Sequence, residues 1–121
     1  MTRIHPAELD DLLGDETPFL LDIRPQEHYR DRHIDGSRNV PVYGDLRGGN
    51  EDALREHLDE IPDDRAVVTI CKQGVVAKRA TRVLDEAGYD AATLMGGMSG
   101  WTGYQKNSLG YRLRSLLWRL R

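Results

Sequence analysis

The sequence predicts an α/β protein with a central, mostly parallel sheet of about five strands flanked by helices. Short apolar runs alternate along the chain with segments of helical periodicity. The runs are apolar at consecutive positions rather than at every second one, as in strands covered on both faces. The length, 121 residues, is that of one compact domain.

Ala7 to Leu13 has helical spacing and stops at Gly14. Phe19-Leu20-Leu21-Asp22-Ile23 is a short buried strand, and Pro25 opens a turn of helix through Arg30, at a position that needs no N–H donor. Asn39 to Val42 is a second brief strand, Leu46 to Asn50 a loop, and Asp52 to Leu58 resumes a helical pattern. Ala66-Val67-Val68-Thr69-Ile70 is the strongest strand, rich in β-branched residues. Val76, Ala80, Val83, Leu84 and Ala87 then share one face of an amphipathic helix ended by Gly88. Ala92 to Met95 is the last strand, closed by Gly96-Gly97.

Hydrophobic residues make up 39% and charged residues 31%, a globular balance. The net charge of -3 gives no global attraction to nucleic acid, and no such partner is expected. No apolar run approaches the roughly 18 residues of a membrane span. Met1 to Pro6 lacks the apolar stretch of a secretory signal, which predicts a cytoplasmic protein. The single cysteine, Cys71, excludes intrachain disulfides, a CxxC redox pair and a multi-cysteine zinc cluster. His5, His28, His33 and His57 share no ligand-like spacing, so no metal site and no cofactor are expected. Charge is uneven: residues 1–102 hold 12 basic and 20 acidic residues, whereas 103–121 hold five basic residues and no acid. The sequence thus divides into an acidic domain, 1–102, and a basic C-terminal extension, 103–121.

Cys71 stands at the C-terminal end of the strongest strand, where open α/β sheets bind ligands. A tight loop and a helix N-terminus follow. A loop curled around the sulfur points backbone N–H groups inward, and the helix dipole adds positive potential. Both predict a thiol that ionises more readily than a free cysteine. Gly74 supplies the backbone freedom for the turn. The plainer reading is a small buried hydrophobe at a strand end.

Four segments resemble, in order, the rhodanese (sulfurtransferase) family. Leu20 to Tyr29 resembles its strand ending in Asp-x-Arg, here Asp22 and Arg24, with Glu27 shortly after. Arg32 to Pro41 is similar to its His-Ile-x-Gly-Ala-x-Asn-Ile-Pro segment. Cys71 to Lys78 has the length of its active-site loop, and Met95 to Trp101 resembles its Gly-Gly-x-x-x-Trp ending. The resemblance implies a rhodanese-like fold and a catalytic Cys71. The thiolate would take sulfur from a small-molecule or protein donor, hold it as a persulfide, and pass it to a nucleophilic acceptor. Lys72, Gln73, Gly74, Val75, Val76 and Ala77 would form the substrate-binding, anion-stabilising loop. Asp22 and Arg24 either shape the pocket or form a local ion-pair network.

The loop departs from thiosulfate-active relatives, because Val75 and Val76 stand where arginine or polar groups often occur. Lys72 is left as its one charge, which predicts weak use of the thiosulfate dianion and preference for a persulfide or protein donor. A cysteine phosphatase needs arginine at the position of Ala77, and its absence argues against that chemistry. The alternative of another class is a catalytically quiet rhodanese-like binding module. In the extension, Leu109, Leu113, Leu116, Leu117 and Leu120 form one helical stripe with Trp118 nearly opposite. Residues 105–121 are therefore expected either to meet a second subunit, a partner protein or an anionic membrane surface, or to fold back on the domain.

Overall fold

The computed structural model describes residues 2–14 and 17–107. The leucine stripe and Trp118 lie outside the described residues. The elements run β1 (Thr2–Ile4), α1 (Pro6–Leu12), β2 (Phe19–Asp22), α2 (Gln26–Asp31), β3 (Arg38–Asn39), α3 (Tyr43–Arg47), α4 (Asp52–Arg55), a 3-10 turn (Leu58–Glu60), β4 (Val67–Ile70), α5 (Ala77–Glu86) and β5 (Ala91–Leu94). A further helix, α6, begins at residue 97 and is described through residue 107.

The five strands form one sheet in the order β1-β5-β4-β2-β3, with every pairing parallel. The α/β expectation holds. The alternation of side chains in β2 and β4 divides the core in two. Leu21, Val67 and Cys71 join Ala80, Val83 and Leu84 of α5 on one face. Leu20, Val68 and Ile70 pack with Leu9 of α1 and with Met98 and Trp101 of α6 on the other. All four residues of β4 are buried, as the unbroken apolar run of a central strand requires.

From β2 the chain moves toward one edge of the sheet, and from β4 toward the other. The carboxyl ends of these neighbouring strands therefore flank the topological switch point, where ligands bind in open α/β sheets. Asp22 ends one strand and Cys71 follows the other.

Three local expectations are corrected. Leu46 and Arg47, expected to open a loop, instead end α3, while Gly48 to Asn50 are non-helical as expected; Leu46 is fully buried and Arg79 binds the helix end, so tertiary contacts override the glycines around it. The second strand is two residues long, and the pattern from Asp52 to Leu58 is divided between α4 and the 3-10 turn. The edge strand β1 carried no apolar run; only Ile4 of its three residues is buried.

Tyr89, just beyond α5, donates its hydroxyl to the carbonyls of Leu58 and Ile61, each at 3.1 Å. Burial raises its phenol above the usual value, with Asp63 and Asp59 acting in the same direction. In the unfolded chain the phenol ionises near pH 10, so stability falls as pH rises past that point. Tyr89→Phe is expected to lose about 1 kcal/mol at neutral pH. In urea titrations it should also show a shallower alkaline decline than the parent.

Candidate functional site: the Cys71 loop

Cys71 is 1% exposed and faces the α5 side of the sheet. Its sulfur accepts hydrogen bonds from the backbone N–H of Gly74 at 3.0 Å and of Ala77 at 3.4 Å. Ala77 is the first residue of α5, and the N-cap residue, Val76, has no side chain able to cap it. The sulfur therefore takes the place of the side-chain oxygen that normally receives a helix's free first-turn N–H. Two donors aimed at one sulfur stabilise negative charge there, and the helix dipole acts in the same sense.

Glycines make the loop possible at two points. Gly74 has φ +84°, and a Cβ there would come within 3.0–3.3 Å of the backbone of Gly96, Leu94 and Gly97. Gly97 has φ +56°, and a Cβ on it would lie 2.3 Å from the Cys71 carbonyl oxygen. The start of α6 thus lies directly against the loop. Met98 N–H donates to Cys71 O at 2.8 Å and Ser99 N–H to Lys72 O at 3.0 Å. The carbonyls of Cys71 and Lys72 bond to α6, while the N–H groups of Gly74 and Ala77 point at the sulfur.

A pocket of about 260 Å³ reaches Cys71 and is lined also by Tyr43, Lys72, Gln73, Val75 and Val76. Val75 is 66% exposed at its rim, whereas Val76 is buried. Gly74 and Ala77 contribute backbone N–H groups rather than pocket wall. Tyr43 was not singled out in the sequence. Its N–H bonds to Ile23 O at 3.0 Å, which brings α3 beside the end of β2. Arg79, which the sequence offers either as a cation near the Cys71 loop or as a solvated helix face, does not line the cysteine pocket and instead donates to Leu46 O at 2.7 Å and Arg47 O at 3.1 Å. It caps α3 from α5 and so helps fix the Tyr43 wall.

A larger cleft of about 880 Å³ lies on the other side of Lys72, bounded by Arg24, Arg32, Thr102 and Lys106 among others, and does not include Cys71. Arg24 therefore borders this cleft and not the cysteine pocket. Its guanidinium grips Asp22 through Nε at 3.0 and 3.1 Å and through Nη2 at 2.8 Å, and Nη2 also donates to Arg32 O at 2.6 Å. Asp22 is 0% and Arg24 7% exposed, so the pair is an internal ionic tie across the end of β2. Asn39 donates to the carbonyls of both residues and fastens β3 to that turn. Among the described residues no group of three or more His, Cys, Asp and Glu is placed to hold a metal ion.

Parallel strands, a switch-point cysteine and a closed loop of inward amides define a class of α/β domain built around one sulfur. The family described as Rhodanese-like domain matches residues 5–104, and the chain belongs to it. Over 101 residues it is 33% identical to the maize (Zea mays) protein named Adenylyltransferase and sulfurtransferase MOCS3-1, covering 82% of this chain and 21% of that protein. The chain spans about a fifth of the length of the first curated relatives it matches. The crystal structure of a rhodanese-related protein from Thermoplasma volcanium matches with a TM-score of 0.72 at 22% identity, covering 86% of this chain and 93% of that one. A NAD-dependent persulfide reductase from A. fulgidus matches with a TM-score of 0.61 at 30% identity, over 84% of this chain and 16% of that one.

Gly97→Ala is expected to cost about 1–3 kcal/mol through clash and backbone strain. It should also displace the loop, which slower alkylation of Cys71 in the folded protein would reveal. Asp22→Asn leaves the Arg24 cation buried without its counter-ion and should cost about 3–5 kcal/mol in denaturant titration. A double variant, Asp22→Leu with Arg24→Met, should be less destabilised than that single change.

Proposed function

We propose that the domain is a sulfurtransferase that carries sulfane sulfur on Cys71. The observation that carries this reading is the pair of backbone N–H groups, from Gly74 and Ala77, directed at the sulfur. The names of the maize and A. fulgidus relatives, which include sulfurtransferase and persulfide chemistry, support it.

The Cys71 thiolate attacks the outer sulfur of the donor. A new S–S bond forms, and the donor's own S–S bond breaks with its electron pair leaving on sulfite or on a thiolate. The product, Cys71–S–S⁻, carries its charge on the terminal sulfur, one bond away from the Sγ that the loop amides bind. A nucleophilic acceptor then attacks that terminal sulfur and the pair returns to Cys71. Each half-reaction balances without metal, cofactor or added oxidant, and no general base is needed if Cys71 enters as the thiolate.

Burial restricts the donor. With Cys71 1% exposed behind a pocket of about 260 Å³, only a slender terminus bearing the reactive sulfur fits, while the remainder stays outside. Exposed Val75, half-buried Tyr43 and buried Val76 share that entrance with Gln73, and Lys72 is its one cation. A dianion has little to bind there, so a persulfide or a protein donor is the better substrate. The setting is a reducing, cytoplasmic one in this reading. Among the described residues no helix is long and apolar enough to cross a membrane. In the same reading the basic extension, 103–121, follows an acidic domain, and residues 105–121 either meet a second copy, a partner protein or an anionic membrane surface or fold back on the domain.

Mass spectrometry of the protein after incubation with a low-molecular-weight persulfide should find a gain of one sulfur atom at Cys71, absent in Cys71→Ser. No labelling across several donors would overturn the reading and leave a binding module. In a cyanide assay, thiosulfate should turn over more slowly than the persulfide; efficient thiosulfate turnover would refute the argument from loop charge.

A further inference from the structure

Three threonine hydroxyls are buried between α5 and the sheet, and the chemistry above does not use them. Thr69 of β4 and Thr93 of β5 are register partners, and Thr81 of α5 lies over both. Their exposures are 0%, 3% and 0% respectively. Thr69 and Thr81 hydroxyls are 2.8 Å apart, and those of Thr81 and Thr93 are 2.7 Å apart. Thr69 Oγ1 also donates to the carbonyl of Ala77 at 3.1 Å, with Ala92 O a longer alternative at 3.5 Å.

A hydroxyl carries one proton, which fixes the direction of the chain. With the Thr69 proton on Ala77 O, Thr69 accepts from Thr81, and Thr81 accepts from Thr93. The ladder therefore ends on Ala77, the residue whose N–H bonds to Cys71 Sγ. Ala77 is held on both flanks: its N–H by the sulfur, and its carbonyl by a hydroxyl from the strand that leads to Cys71. A bare hydrocarbon interface would pack α5 on the sheet as well but would not fix the position of its first turn along the strand.

We infer that Thr69 is a positioning residue that holds the Ala77 N–H against the Cys71 sulfur and thereby stabilises its anionic forms. The inference rests on the reading of Cys71 as sulfur carrier. The other charged or titratable groups in the sulfur's pocket are Lys72 and Tyr43; on α5, Arg79 is bound to the carbonyls of Leu46 and Arg47, and Lys78 lines a separate pocket with Thr2, Arg3 and Thr93. All of them are retained in the variants below.

Cys71 is the sole cysteine, so iodoacetamide alkylation reports on it alone. Thr69→Val deletes the hydroxyl that meets Ala77; Thr93→Val deletes the far end of the same ladder and leaves that contact in place. Both are expected to lower the melting temperature. Thr69→Val alone should move the alkylation–pH profile to higher pH. It should also slow persulfide formation at neutral pH about threefold to tenfold, the loss of one hydrogen bond's influence. Thr69→Ser should restore both. Thr69→Ala, which adds no methyl group, is the second variant should the valine protein fail to fold. An unmoved profile in the Thr69 variants, or equal shifts in the Thr69 and Thr93 variants, would overturn the inference and leave a purely structural ladder. Failure of the parent protein to accept sulfur from any donor would instead overturn the sulfur-carrier reading, and the alkylation comparison would still decide the role of Thr69.

Discussion

The sulfur of Cys71 closes its own loop. By accepting the N–H groups of Gly74 and Ala77, it supplies the acceptor that α5 lacks at its start. The loop carbonyls then need donors elsewhere, because a buried carbonyl without a partner is costly. The N–H groups of Met98 and Ser99 meet that need for Cys71 and Lys72. Donors inward and acceptors outward are two sides of one constraint. It can be met only where Gly97 lets α6 approach the loop closely enough.

The sheet determines where this constraint can be met. A strand buried on both faces must leave the core at its carboxyl end, and at the switch point the helices on either side part and leave space. β4 supplies Cys71 to that space, and β2 supplies the Asp22–Arg24 tie beside it. The tie fills the end of β2 with ionic hydrogen bonds and binds the chain at Arg32 and Asn39. The turn beyond β2 is thereby stiffened, and α3 with Tyr43 is placed from its other end by Ile23 and Arg79. The pocket wall is thus a consequence of tertiary hydrogen bonds and not of any local motif.

The sequence carried some of these features plainly and others not at all. β4, α5 and the loop between them were legible because each has a strong local signal: a β-branched apolar run, an amphipathic period and a glycine at the turn. Gly96 and Gly97 were readable as conformational glycines, but not as the surface on which the Cys71 loop rests, since that contact joins residues far apart in the chain. α3 was missed because Gly44 and the Gly48-Gly49 pair outweigh its helical signal, while Leu46 and Arg79 decide the matter through burial and capping. Tyr43 entered the site with it. The threonines gave no local cue either, since threonine suits a strand and is neutral in a helix. Only the pairing of β4 with β5 and the packing of α5 bring the three hydroxyls together.

Anion stabilisation in this loop comes from backbone N–H groups, which any residue but proline can supply, provided the loop keeps its length and its glycine. On the proposed reading, substrate selection rests on what the side chains at 72, 73, 75 and 76 present to the pocket. The two properties are therefore separable. Valines at positions 75 and 76 leave both N–H···S bonds in place while the mouth is rendered less polar. If the domain carries sulfur as proposed, its donor can change by alteration of the rim without rebuilding of the loop beneath it. Arrangements such as the Thr69–Ala77 contact, which hold the amides without touching the pocket, protect the shared chemistry while the rim varies.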